Sequence, residues 1–172
     1  MEIGEIDMFL WILLGISLLI TVFLIYRSFG LLKIFHWYEL IIIFLFIASV
    51  NSWCFGLYQS AYETLNIVRK PKEYMIAYIQ FVLFFPISLL WIASLIRRKV
   101  SLHYIIGFFL IWCTAYVLVF EFDAFFNVLK IKHSHWYPIL ISFGYNITTI
   151  VLTYFFMRFL KGHLIKEGKW NG

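Results

Sequence analysis

Residues Met8–Tyr26 read MFLWILLGISLLITVFLIY, an apolar run that meets its first charge only at Arg27. A bilayer core of about 30 Å is crossed by roughly 20 helical residues, since each adds about 1.5 Å. The run does not alternate apolar with polar positions, as a half-buried strand would. Four more segments meet the same criterion: 38–58, 74–96, 102–120 and 137–160. In lipid every backbone N–H and C=O must be paired inside the structure, which leaves helices or closed barrels. Runs this long and continuously apolar exclude a barrel. The expected fold is therefore an all-α transmembrane bundle of five spans, at about 8–26, 38–58, 74–96, 102–120 and 137–160.

Composition agrees. The chain has 172 residues, 63% hydrophobic and 13% charged, where soluble domains run about 45–50% apolar and about 25% charged. Lipid can solvate that much outward apolar surface and water cannot. Five spans nearly exhaust the chain, so residues 1–172 are expected to form one membrane domain. The N-terminal Met1–Asp7 is acidic and no small-residue cleavage pattern follows, so the first run reads as a retained span rather than a signal peptide. Cys54 and Cys113 both fall inside apolar runs and read as small packing residues.

Basic residues set orientation. Arg27, Lys33, Arg97, Arg98, Lys99, Arg158, Lys161, Lys166 and Lys169 fall on one side of the five-span scheme. Arg69, Lys70, Lys72, Lys130 and Lys132 fall on the other, with most of the acids. Lys and Arg near span ends favour the cytoplasmic side, so the N-terminus is expected outside and the C-terminus inside a bacterial cytoplasmic membrane. The net charge of +5 then reflects topology rather than nucleic-acid binding. The inner turn Arg97-Arg98-Lys99 is a candidate contact for anionic lipid head groups, at about 1 kcal/mol per basic residue. Trp37, Tyr38, Trp53, Tyr58, Trp136 and Tyr137 sit at span ends, where aromatic rings with one polar tip favour the interface.

Polar residues inside lipid are costly and face the bundle interior. Ser142, Asn146, Thr149 and Thr153 share one face of the fifth span and read as a ligand path or as hydrogen-bonding glue between helices. Gly107, Thr114 and Glu121 recur every seven residues in the fourth, with Glu121 at its outer end as a candidate for a cation, a proton or a head group. Ser49, Asn51, Ser52 and Gly56 cluster in the outer half of the second. Gln80 lies in the outer half of the third, with Pro86 deeper, where the missing N–H should kink the helix. An outward-facing polar cavity would follow if Glu121, Asn146, Thr149, Gln80 and Asn51 converge. Asp123, His133 and His135 are weak candidate metal ligands, since no known ligand spacing is matched. No cofactor is expected.

No Walker A, G-x-S-x-G, H-E-x-x-H or C-x-x-C motif occurs. Three stretches do form a pattern: Val119-Phe-Glu121 closing a span, Leu129-Lys-Ile-Lys-His-Ser-His-Trp136-Tyr137 in a loop, and Arg158-Phe-Leu-Lys161 closing the last span. Over roughly residues 70–161 this resembles a group of small five-span membrane proteins of spore-forming Firmicutes, a family without an assigned activity. There, as here, a span around Phe84-Phe-Pro86 precedes a short basic turn. This chain carries His133-Ser-His-Trp136 where that group has a Lys-Gly-Trp stretch. The resemblance implies a five-span topology and nothing about activity. The expected role is a non-enzymatic accessory or ligand-binding membrane subunit, partnered by another membrane protein or a second copy. The alternatives are a small oligomeric transporter or channel, and an intramembrane lipid-modifying enzyme built on Glu121, Asp123, His133 and His135.

Overall fold

The computed structural model describes residues 3–57, 65–68, 70–131 and 136–166. The protein is all-α, apart from one pair of three-residue strands. Helix α1 spans Ile3–Ser28 and runs into a 3-10 turn, Phe29–Lys33. Helix α2 spans Trp37–Gly56. The third rod has three parts: α3 (Pro71–Tyr78), a π-helical segment (Ile79–Phe84) and α4 (Phe85–Arg97). Helix α5 spans Leu102–Phe125 and α6 spans Trp136–Lys166. The rods Met8–Lys33, Trp37–Gly56, Pro71–Arg97 and Leu102–Phe125 are long and apolar enough to cross a membrane. Large apolar side chains stand outward on all sides, Leu19, Phe23, Ile111 and Phe159 among them, far beyond the patch size a water-soluble monomer tolerates.

The third rod is the hub. Of its most apolar 18 residues 61% are buried, against 17% in the first and fourth rods and 33% in the second. It packs against α1, α2, α5 and α6. Two cores flank its length. The one beside the π segment is aromatic, with Phe55, Phe81, Phe85, Tyr116, Phe120 and Tyr145. The one beside α4 is aliphatic, with Leu31, Ile43, Ile47, Leu89, Ile92 and Met157.

The helices outrun the apolar segments at several ends, because capping rather than hydropathy stops them. The third begins at Pro71, a residue suited to a first helical turn because it lacks only an N–H that would go unpaired there. The fourth continues past residue 120 to Phe125. It closes with Asn127 in the left-handed region (φ 57°), while Asn127 N–H bonds the Ala124 carbonyl at 3.1 Å and Val128 N–H bonds that of Asp123 at 2.7 Å. This is a Schellman closure, in which Asn tolerates the left-handed position. The fifth continues unbroken to Lys166. Strands β1 (Leu65–Ile67) and β2 (Leu129–Ile131) pair antiparallel, Asn66 opposite Lys130, and tie the loop before α3 to the loop after α5.

The kink expected at Pro86 takes another form. The proline ring would collide with the Val82 carbonyl in a regular α-helix. The preceding turn widens instead to π geometry, and Phe85 N–H bonds the Gln80 carbonyl five residues back. Such turns are rare and occur frequently at functional sites.

Candidate functional site

The π segment leaves one carbonyl without a main-chain donor. Phe85 N–H is committed to Gln80, and residue 86, next in the π register for the Phe81 oxygen, is a proline. Asn51 of α2 supplies the missing donor: its Nδ2 bonds the Phe81 oxygen. Tyr145 of α6 completes the repair. Its hydroxyl bonds Asn51 Oδ1 and also lies 3.1 Å from the Asn51 main-chain oxygen. Asn51 is fully buried and Tyr145 is 2% exposed. An unpaired carbonyl there would cost about 1–3 kcal/mol. Asn51 and Tyr145 therefore brace the widened turn.

One residue earlier, Gln80 points the opposite way, toward α1 and α5. Its Nε2 donates to Ser17 Oγ and to Asp123 Oδ1, both at 3.3 Å. The amide nitrogen faces the acid because a carboxylate only accepts. Asp123 is fully buried, Gln80 is 5% exposed and Ser17 is 8% exposed. Within this trio two acceptors remain without a partner among the described residues, Gln80 Oε1 and Asp123 Oδ2. Both residues line a cavity of about 130 Å³ between α1 and α5, together with Ser17. At roughly 30 Å³ per water, it has room for a few waters or one small charged group. Ile16, Ile20 and Phe122 form its outer rim and are themselves exposed, so the cavity opens sideways toward the surface that lipid would cover.

Electrostatics makes this trio unusual. A buried carboxylate without a cation is strongly disfavoured. Asp123 also stands in the last turn of α5, where the helix dipole presents its negative end. Among the described residues no Lys or Arg pairs with it. The backbone holds it in place, since its own carbonyl anchors the Schellman closure. The site has two open acceptors and wants a donor.

The other candidates fall elsewhere. Glu121 is exposed, with Thr114 on the same outward side. Two positions separate it from Asp123, about 200° around the helix, so one acid faces out and the other in. Asn146, Thr149 and Thr153 are buried. The threonines bond back to carbonyls four residues earlier in α6, Thr149 to Tyr145 at 3.0 Å and Thr153 to Thr149 at 2.7 Å, so this face serves packing. The Ser142 side chain, His133 and His135 lie outside the described residues. Among the described residues no three of His, Cys, Asp and Glu come together. Cys54 and Cys113 are free and buried.

At the C-terminal end of α4, Arg97 is drawn into the bundle rather than left on its surface. It pairs with Glu39, which is 3% exposed, and stacks its guanidinium 4.8 Å from the Phe35 ring. The second oxygen of Glu39 accepts the His36 N–H at 3.3 Å and so caps α2. Arg98 and Lys99 are exposed. Sequence reasoning missed Ser17 and Tyr145, and gave Asp123 to a metal rather than to Gln80. The available signal was a helix-period match: Asp123 continues the buried face of Tyr116 and Phe120, spaced by four and three. No protein-family model, curated protein or solved structure matches this chain.

Proposed function

We propose that this chain is a five-span protein of the bacterial cell membrane that binds a small amphipathic ligand through a donor-bearing, cationic head group, held by Asp123 and Gln80. The observation that carries the reading is the pair of buried acceptors without a partner among the described residues, Asp123 Oδ2 and Gln80 Oε1, on two side chains that line one laterally open cavity. A primary ammonium fits this chemistry. It brings the missing positive charge and can donate to both oxygens at once. The cavity is smaller than the roughly 300–1,000 Å³ of drug-sized sites, so only the head group enters, and the apolar part stays at the rim of Ile16, Ile20 and Phe122. Ionisable residues within a membrane commonly mark ligand or ion paths, and carriage of the same ligand across the bilayer is the second reading, favoured by the π turn beside the site.

The test uses nanodiscs and octylamine, with octanol as the uncharged counterpart. Octylamine is expected to raise the unfolding temperature of the parent, and octanol to leave it unchanged. Asp123→Asn should keep or slightly gain intrinsic stability, since it removes an unpaired acid, while losing the octylamine effect. Gln80→Leu should lose it as well. An equal octylamine shift in the Asp123→Asn protein sinks the proposal.

The same proposal includes the topology, with the N-terminus outside, and kinship with the five-span group of the spore formers. The 31-residue α6 supports a fifth crossing. With Cys54 and Cys113 changed to alanine, an impermeant thiol reagent on intact cells should label Ser134→Cys and spare Lys169→Cys. The opposite pattern inverts the orientation.

A further inference from the structure

At the inner end of the bundle, where α4 stops and α6 runs past it, four basic side chains surround one cavity of about 560 Å³: Arg97, Lys99, Arg158 and Lys161. Arg97 ends α4 and Lys99 stands in the turn after it, while the last two come from α6, some 60 positions later in the chain. Arg158 and Lys161 are three apart and share a helical face. Tyr154 stands one turn back on that same face and also lines the cavity, and among the described residues no acidic side chain lines it. Arg98, in the same turn as Arg97 and Lys99, is not part of the lining.

The turn itself is built in a way that favours this grouping. Lys99 occupies the left-handed position that ends α4 (φ 54°). Lys99 N–H bonds the Ile96 carbonyl at 3.1 Å and Val100 N–H bonds that of Leu95 at 3.3 Å. Glycine or asparagine usually fills this place, because a side chain there is strained. Here a lysine fills it and lines the cavity. Arg97 is fixed by Glu39 and the Phe35 ring, so one cation is already ordered before any ligand arrives.

We infer that this cavity binds a phosphate-bearing group. Arginine forks and lysine ammonium groups both suit phosphate oxygens, the tyrosine hydroxyl adds a donor, and the volume falls in the range of small-ligand sites. The surroundings fit the phosphodiester of an anionic phospholipid. Ile96 and Met157 form the apolar part of the wall, and Phe155 and Phe159 stand exposed on the adjoining surface of α6, where acyl chains would lie. This site shares no residue with the Asp123 cavity and stands or falls independently of it.

The experiment is native mass spectrometry of the full chain released from nanodiscs of phosphatidylcholine doped with phosphatidylglycerol, with and without inorganic phosphate. The parent is expected to keep phosphatidylglycerol in preference to phosphatidylcholine. Arg158→Gln with Lys161→Gln should weaken that retention on the order of tenfold. The control, Arg27→Gln with Arg98→Gln, removes the same charge from the same side and should retain phosphatidylglycerol as the parent does. Competition by millimolar inorganic phosphate would keep the site and assign it to free phosphate, whereas indifference to phosphate assigns it to lipid. Equal loss in both double variants, or no loss in either, overturns the proposal. Size-exclusion profiles of all three proteins identify misfolding; Lys99→Gln replaces the Arg158 and Lys161 double variant if that one misfolds, and Arg27→Gln alone replaces the control.

Discussion

The two halves of the third rod solve the same problem in different ways. Both must place polar groups inside an apolar bundle. In the C-terminal half, α4 is a regular helix, and its charge is matched one to one: Arg97 meets Glu39, and Glu39 also caps α2. In the N-terminal half, Pro86 forces a π turn, and two sets of polar side chains gather on it. One set, Asn51 with Tyr145, closes its hydrogen bonds. The other, Ser17 with Gln80 and Asp123, leaves two acceptors open. The Arg97–Glu39 pair is matched within the bundle, whereas Asp123 has no Lys or Arg partner among the described residues.

The comparison breaks most readily at Asn51. Asn51→Ala strands two buried groups, the Phe81 carbonyl and the Tyr145 hydroxyl, and should cost about 2–3 kcal/mol, above the roughly 1–2 kcal/mol of a single interhelical hydrogen bond in a membrane. Unfolding in micelles of rising SDS fraction measures it. Pro86→Ala sharpens the result, because it restores an N–H to the π turn. In that background the Asn51→Ala loss should shrink by about 1 kcal/mol, a coupling expected of groups that share one acceptor. Additive losses would mean that Asn51 does not serve the turn.

A smaller effect is expected at the C-terminal end of α4. Glu39→Gln keeps the cap on α2 but leaves Arg97 without its counter-charge. Buried pairs broken on one side cost about 3–5 kcal/mol. Arg97 is 21% exposed and can reach water, so the loss should be nearer about 1 kcal/mol. A cost above that of Asn51→Ala would reverse the ranking of the two halves. Smallest of all, Asp123→Asn should change the same unfolding curve little, with ligand response as its main loss. A large destabilisation there would make Asp123 a structural acid.

Much of this fold is legible along the chain. Hydropathy places every rod, and the buried face of Asn146, Thr149 and Thr153 follows from their spacing. Helix ends are less legible. Fourth-span hydropathy fails near residue 120, while the helix runs on to Phe125 because Asn127 and Val128 close it. That extension carries Asp123 from an expected loop into the wall of a cavity. The choice between Glu121 and Asp123 is equally hidden, since two acids two residues apart look alike until the helix phase is known.

What the sequence determined by itself is the solvent of this protein and the number of its apolar segments. Both follow from transfer free energies, which add residue by residue and need no partner. The tertiary structure decided which polar groups are spent and which remain open. Whether Gln80 bonds Asp123, whether Pro86 yields a kink or a π turn, and whether Lys99 joins Arg158 depend on contacts between rods far apart in the chain. Hydrogen bonds act only at close range and in set directions, so they follow from how the helices pack and not from the order of the residues.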